Sequence, residues 1–187
     1  MPVLSAKMLF VGALLGLLGI VGCFNANPHP DYTPLRTEVE QLYLNYHELK
    51  AVDSDLHTVA LLNMERSDGQ LGHIQSAARL IEQANLIAYY QWQLLSITEY
   101  IRDSARSDFF TLRVKDVAEA RRKSKDLVLT IKVYDAFIKD AAALALIDKA
   151  VGHIERNMTI YETLHALMLP MANKPPTATG GGGALSL

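Results

Sequence analysis

The chain has very little cysteine and almost no net charge. Its 187 residues include one cysteine, Cys23, which excludes intramolecular disulfide bonds, thiol redox pairs and zinc sites built from several thiolates. The 18 basic and 20 acidic side chains nearly cancel, so no broad positive field is available for nucleic acid. The sequence also lacks a glycine-rich phosphate loop and a Gly-x-Ser-x-Gly turn. We therefore expect a non-catalytic protein that does not bind nucleic acid.

The first 22 residues have the pattern of an export signal. Lys7 is their only charged residue, and the run from Met8 to Gly22 is apolar. This run is shorter than the roughly 20 apolar residues that a membrane-spanning helix needs, and its four glycines weaken it as a helix. The pattern predicts a leader, residues 1–22, that is removed.

The end of this run, Ile20-Val21-Gly22-Cys23, resembles the lipobox of bacterial lipoproteins. The resemblance covers the first 23 residues and gives no family for the rest of the chain. It implies that a signal peptidase cuts before Cys23, that this thiol carries diacylglycerol, and that the new amino group is acylated, for example with palmitate. Two or three acyl chains suffice for stable anchoring, since each buried CH₂ contributes about 0.8 kcal/mol. The alternative is an uncleaved signal anchor with an incidental cysteine.

The residue after the cysteine bears on which membrane holds the protein. Many lipoproteins retained at the inner membrane have an aspartate there, whereas this chain has Phe24. The resemblance therefore implies an address at the outer membrane, facing the periplasm.

The segments on either side of the central region are rich in proline or glycine. Residues 23–33 contain two prolines and no apolar period, and we expect them to form an extended tether. Residues 170–187 contain three prolines and four consecutive glycines, as disordered tails do. The last three residues, Leu185 to Leu187, are an alternative recognition peptide, but frayed chain ends are far commoner. The folded domain is predicted to span residues 34–169.

Four segments of this domain carry an apolar period of three to four residues, which is typical of amphipathic helices. The first stripe comprises Leu35, Val39, Leu42, Tyr46, Leu49, Val52, Leu56 and Val59, and the second Leu71, Ile74, Ala78, Ile81, Ala84, Ala88, Trp92, Leu95 and Ile101. The third comprises Phe110, Val117, Ala120, Ser124, Leu127, Ile131, Tyr134 and Ile138, and the fourth Leu144, Ile147, Val151, Ile154, Met158, Tyr161, Leu164 and Met168. Similar lengths and short turns predict an all-α fold, an antiparallel up-down-up-down four-helix bundle of long helices. A three-helix arrangement with one very long, bent helix is the alternative.

Capping and turn residues predict where the first two helices begin and end. Thr33 is expected to cap the first helix, with Pro34 in its first turn, and the helix is expected to reach about Arg66. The cluster 53–55 (Asp-Ser-Asp) is the place where it would break. The turn 67–69 (Ser-Asp-Gly) separates it from the second helix, which is expected to end near Ser104 or Arg106.

The later boundaries rest on fewer signals. Ser107 or Asp108 is expected to cap the third helix. Asp140 is expected to cap the fourth, although no glycine or proline separates these two helices, so a helix that continues straight through residues 138–140 is the alternative. Pro170 is expected to stop the fourth helix.

Helix bundles often bind metal ions or haem, so the histidines of the predicted helices are candidate ligands. Glu162 and His165 have the Glu-x-x-His spacing of ferritin-like di-iron proteins, but the second helix offers Gln70-x-x-His73, and an amide cannot replace a bridging carboxylate. These two residues are candidates only, and we predict no metal site. For haem, the candidate ligands are His73, His153, His165, Met64 and Met158, and no Cys-x-x-Cys-His attachment motif is present.

Two clusters on the predicted helices are candidate interaction surfaces. The basic residues are Arg102, Arg106, Arg113, Lys115, Arg121, Arg122, Lys123 and Lys125. They favour contact with anionic headgroups, but interspersed acids favour an ordinary solvated face. The aromatic residues are Tyr89, Tyr90, Trp92 and Tyr100. They are typical either of a binding hot spot or of a core edge.

These patterns lead to a functional hypothesis. We expect a non-catalytic lipoprotein of the bacterial cell envelope, held to a membrane through Cys23 and without a cofactor, that binds an envelope protein or a second copy of itself. The alternative is a four-helix bundle that binds a metal or a haem-like cofactor in its core. A third possibility is a purely structural spacer.

Overall fold

The computed structural model describes residues 31–64 and 69–173. The predicted leader, Cys23, nearly all of the tether, most of the turn 67–69 and the tail beyond residue 173 lie outside the described residues. Within the described ranges the chain forms four α-helices: α1 (Thr33–Leu62), α2 (Leu71–Ser96), α3 (Asp103–Asp135) and α4 (Ala141–Ala172), with a short 3₁₀ helix (Thr98–Tyr100) between α2 and α3.

Helix α1 is one continuous helix that starts close to the predicted position. Thr33 is its first residue rather than its cap, because the carbonyl of Tyr32 already accepts the amide of Arg36 at 2.8 Å. The cluster 53–55 does not break the helix, and the Asp53 carbonyl accepts a hydrogen bond from the ring of His57. The helix ends at Leu62, before the predicted Arg66.

The predicted boundary between the second and third helices is wrong by several residues. Helix α2 ends at Ser96, where the buried hydroxyl of Thr98 donates to the Leu95 carbonyl at 2.6 Å and competes with further helical bonding. After the 3₁₀ turn, Ile101 is extended, and α3 begins at Asp103 instead of being capped by Ser107 or Asp108. Ser107 lies inside α3, and its hydroxyl donates to the Ala172 carbonyl at the end of α4.

The fourth helix begins as predicted and ends later than predicted. The Asp140 carboxylate accepts the amides of Ala142 and Ala143 at 3.0 and 2.9 Å, which confirms it as the cap. Pro170 does not stop the helix, which continues to Ala172. Proline removes one amide donor, and a single lost bond near the last turn does not end the helix.

The four helices form the predicted four-helix bundle. Each packs against its neighbours in sequence, and α1 packs against α4 to close the ring. Helices α2 and α4 also approach each other across the diagonal. Both helices bury alanines, which permit close approach: Ala77, Ala78, Ala84 and Ala88 on α2, and Ala143 and Ala150 on α4.

The core consists of two clusters that follow each other along the bundle. The aliphatic cluster lies towards the turns that precede α2 and α4, and its buried members are Leu, Ile, Val and Ala, such as Ile81 and Ile147. The aromatic cluster lies towards Tyr32 and Ala172, and it contains buried Phe110, Tyr161 and Met168, with Trp92 and Tyr46 packed against it.

A polar layer separates the two clusters, and all four helices contribute to it. Asn45 on α1, Asn85 on α2, Ser124 on α3 and Asn157 on α4 are buried. Each lies between members of the two clusters in its helix. The apolar stripes predicted from the sequence included Ser124 but none of the three asparagines. Conversely, some stripe residues are only partly buried: Tyr46, Val59, Leu71, Trp92, Ile101, Leu127, Tyr134, Leu144 and Met158.

Candidate docking surface

An exposed apolar row runs along the outer side of α2. Leu86, Tyr90 and Leu94 are spaced four residues apart and share one side of α2, and Ile97, the residue after the end of α2, continues the row. Their exposed fractions are 46, 57, 37 and 47 %. We call this row the α2 ridge. No charged residue occurs from Gln83 to Thr98, so the ridge itself is uncharged; the exposed Glu82 lies one turn before Leu86 on the same side of α2.

An aromatic seam joins α1 to α2 beside the ridge. The rings of Tyr43 and Trp92 lie 4.7 Å apart, and those of Tyr46 and Tyr89 lie 5.3 Å apart. Tyr89 also lies 5.8 Å from both Tyr90 and Trp92, which links the seam to the ridge. The seam fixes how α2 is rotated against α1, and thereby which side of α2 faces outwards.

The structure brings together only part of the predicted aromatic cluster. Tyr89, Tyr90 and Trp92 meet, whereas Tyr100 lies in the 3₁₀ turn and is 83 % exposed. The sequence analysis missed Tyr43 on α1. The sequence does contain a pattern that could have identified it. Tyr43 and Tyr46 are three residues apart, and so are Tyr89 and Trp92 on the helix that they face.

A groove of about 250 Å³ opens at the end of this seam, near the start of α1. Tyr32, Leu35 and Val39 line it from one side, and Trp92, Leu95 and Tyr100 from the other. Arg36 and Glu99 form an ion pair among the lining residues. The groove therefore presents an apolar floor with aromatic walls and a polar rim.

The polar layer is hydrogen-bonded on the α1–α4 side. The Asn45 amide donates to the Asn157 side-chain oxygen at 2.6 Å and to the His153 carbonyl at 2.7 Å, and the Asn45 oxygen lies 2.7 Å from Nδ1 of His153. Burial lowers the pKa of His153, against the opposing influence of Glu48, whose carboxylate is 3.5 Å away. The imidazole therefore serves as a buried neutral hydrogen-bonding group in this layer.

The candidate metal ligands have other roles in the structure. Glu162 is exposed and accepts a hydrogen bond from Arg121 at 3.0 Å. His165, three residues later, is partly buried. Gln70 is buried, and its oxygen accepts the backbone amides of Lys139 and Asp140 at 2.8 and 3.0 Å, so it fixes the turn before α4. In residues 31–64 and 69–173, no three His, Asp or Glu side chains lie close enough to hold a metal ion.

The candidate haem ligands are dispersed. His73 is stacked on Phe137 at 4.9 Å, His153 lies in the polar layer, and Met64 is 60 % exposed after the end of α1. Met158 is partly buried on α4. Binding of a cofactor in the core stays the alternative hypothesis, and within residues 31–64 and 69–173 these candidate ligands do not converge on one site.

The basic residues of α3 are interspersed with acids and form ion pairs. Arg122 pairs with Glu119 at 2.7 Å and with Asp126 at 3.1 Å, and Lys123 also approaches Glu119. Arg113 pairs with Asp116 at 2.8 Å. This part of α3 is therefore a charged helix surface, in contrast to the uncharged α2 ridge.

Comparison with protein-family models, with curated proteins and with solved structures finds no match to this chain. Among the described helices, none is sufficiently long and apolar to cross a membrane.

Proposed function

We propose that this chain is a membrane-anchored helical lipoprotein of the bacterial cell envelope that acts without catalysis as a protein-binding or assembly module. In this proposal the leader is removed, lipid on Cys23 holds the bundle at the outer membrane on its periplasmic side, and the bundle binds a partner. No cofactor and no nucleic acid take part.

The anchor is supported by agreement among independent features of the sequence. The charged start, the short apolar run and the sole cysteine occur in the order that export and lipidation require. The first described helix begins only ten residues after Cys23, so an anchored bundle would stand close to the bilayer, within roughly 35 Å at full extension.

The α2 ridge is the observation that carries the binding role. Exposed side chains of Leu, Ile and Tyr are normal when scattered singly, but here they lie in a row next to an aromatic seam and a groove. Interfaces are enriched in aromatic residues and depleted of charge at their centres, as this region is. The ridge is therefore our candidate for the docking surface.

The anchor is tested by labelling cells with radioactive palmitate. We expect the wild-type protein and an Asn25→Ala variant to carry the label, and Cys23→Ala to carry none, because the thioether has no other thiol on which to form. Label on Cys23→Ala, or a purified native protein that retains residues 1–22, would contradict the proposal.

The binding role is tested by chemical crosslinking in native membranes. We expect the full-length wild type to yield a crosslinked complex that Tyr90→Arg loses, because an arginine placed in an apolar contact must be desolvated without a partner. Leu129→Arg is the matched control, since both positions are 57 % exposed. Equal yields from all three proteins, or no complex from the wild type, would refute a docking role for the ridge.

A further inference from the structure

We infer that the α2 ridge docks against the same ridge of a second copy of this chain, so that the protein is a two-fold symmetric dimer. This inference rests on the proposed function, because it names the partner of the docking surface described above. Three properties of the ridge carry it: its area, its lack of charge and the spacing of its side chains.

The ridge and its aromatic neighbours offer about three quarters of the area that each partner of a specific complex buries. The four ridge residues together with Tyr43 and Tyr100 are about half exposed on average. With roughly 200 Å² for a large side chain, they offer about 600 Å². The exposed Gln83, Gln93 and His47 add to this surface. Specific complexes bury about 800 Å² per partner, whereas the largest apolar patch of a typical monomer is about 300–600 Å².

The charge pattern favours an identical partner. In a two-fold interface each residue near the axis meets its own copy, so a charged surface would bring like charges together. The stretch from Gln83 to Thr98 avoids this cost, since it has no charge, and the exposed Glu82 lies beyond the end of the ridge, two turns before Tyr90. The neighbouring acid Glu99 is already paired with Arg36 of the same chain. The uncharged ridge can therefore meet its own copy without bringing like charges together.

The spacing of the ridge suits helix-on-helix packing. Leu86, Tyr90 and Leu94 form a row of residues four apart, and such rows pack into the grooves of a second helix at a crossing angle of about 50°. The amides of Gln83 and Gln93 and the hydroxyl of Tyr90 provide polar groups at the edges. These groups favour a protein surface over the lipid interior, where they would lack partners.

A second exposed apolar row, on α3, is a weaker candidate. It consists of Leu129 and Val133 on α3 and of Phe137, two residues beyond its end, with exposed fractions of 57, 60 and 55 %. Lys132 and Asp126 lie on the same stretch of α3, and Lys132 pairs with Glu155 of α4. Two-fold packing of this row would bring these charges close to their own copies, so we assign the dimer to the α2 ridge.

The test is site-specific photocrosslinking of the full-length protein in native membranes. Two copies with tags of different size are co-expressed, and a photoreactive phenylalanine analogue replaces either Tyr90 or Leu129. We expect a crosslinked product that carries both tags from position 90 and none from position 129. Adding Leu86→Lys to the position-90 protein should reduce the product by roughly tenfold or more, because lysines near the axis would face each other.

The outcomes separate this inference from the proposed function. A product from position 90 that contains one tag and a different protein overturns the dimer but leaves the docking role standing. A product only from position 129 overturns the assignment of the dimer to the α2 ridge. Crosslinks from position 90 to lipid alone overturn both the dimer and the protein-binding role.

Discussion

The two halves of the bundle have different chemical characters although the same four helices build both. The half around the aliphatic cluster is filled by Leu, Ile, Val and Ala, and the turns at its end are fixed by Gln70 and Asp140. The half around the aromatic cluster contains Phe110 and Tyr161, and along it lie the seam, the groove and the α2 ridge. The polar layer separates the two.

The halves also differ in where polar groups lack a partner. In the aromatic half, the hydroxyl of Tyr161 and the side-chain oxygen of Gln91 are buried without a hydrogen bond, among the described residues. In the aliphatic half, Asp135 has such an oxygen, whereas the corresponding Asp53 oxygen lies 3.4 Å from Nδ1 of His57; both residues are only partly buried, and burial raises their pKa values. Natural proteins depart from ideal packing mainly at functional sites. We therefore interpret the aliphatic half as the stabilising part and the aromatic half as the binding part.

The largest expected effect is a loss of stability, without a loss of binding, when a side chain of the aliphatic core is truncated. Ile147 is fully buried, and Ile147→Ala should lower the free energy of unfolding by about 2–5 kcal/mol through lost burial and a cavity. Urea unfolding followed by circular dichroism measures this loss. At temperatures where the variant stays folded, its crosslinking through position 90 should match that of the wild type.

The control for this variant is Leu129→Ala, which alters an exposed side chain and should change stability little. Loss of crosslinking by folded Ile147→Ala would break the division between a stabilising half and a binding half.

Removal of the unpartnered hydroxyl in the aromatic half should have a smaller effect of opposite sign. Tyr161→Phe should raise the free energy of unfolding by roughly 1 kcal/mol, because the native hydroxyl is desolvated without a hydrogen bond. Burial also raises the pKa of this hydroxyl, so it stays protonated. Tyr90→Phe, at an exposed position, is the control. Destabilisation by Tyr161→Phe would show that the hydroxyl is satisfied in solution and would remove one difference between the halves.

The polar layer should give the smallest effect, as a dependence of stability on pH. Since burial lowers the pKa of His153, the unfolded chain binds a proton at a higher pH than the folded chain does. Stability from this group is therefore complete above the ordinary imidazole pKa of about 6.5 and declines as the pH falls below it. Glu48 opposes this decline, and Lys149 and Arg156 reinforce it.

Urea unfolding at about pH 7.5 and pH 5.5 measures this contribution. His153→Gln should show a smaller loss of stability between the two pH values than the wild type. An equal loss in both proteins would mean that His153 does not titrate differently on folding.

The sequence predicted local features well where one residue determines the local backbone structure by itself. Asp140 caps α4 as expected, and Gly69 has the positive φ of 76° that its turn predicted. The boundary after α2 was mispredicted because Thr98 forms a buried bond with the Leu95 carbonyl, which depends on how the chain packs there. The docking surface was predicted only in part, since Tyr43 contributes to it from another helix.

The sequence by itself determined that residues 31–173 contain four long helices and which broad side of each described helix faces inwards, because an apolar period of three to four residues is a property of one helix alone. The sequence also contains the motif around Cys23 on which the proposed anchor depends. Only the tertiary structure decided that Asn45 and Asn157 are buried against each other and that α2 turns an uncharged row outwards. Those features depend on the rotation and register of one helix against another, which the pattern of a single helix does not specify.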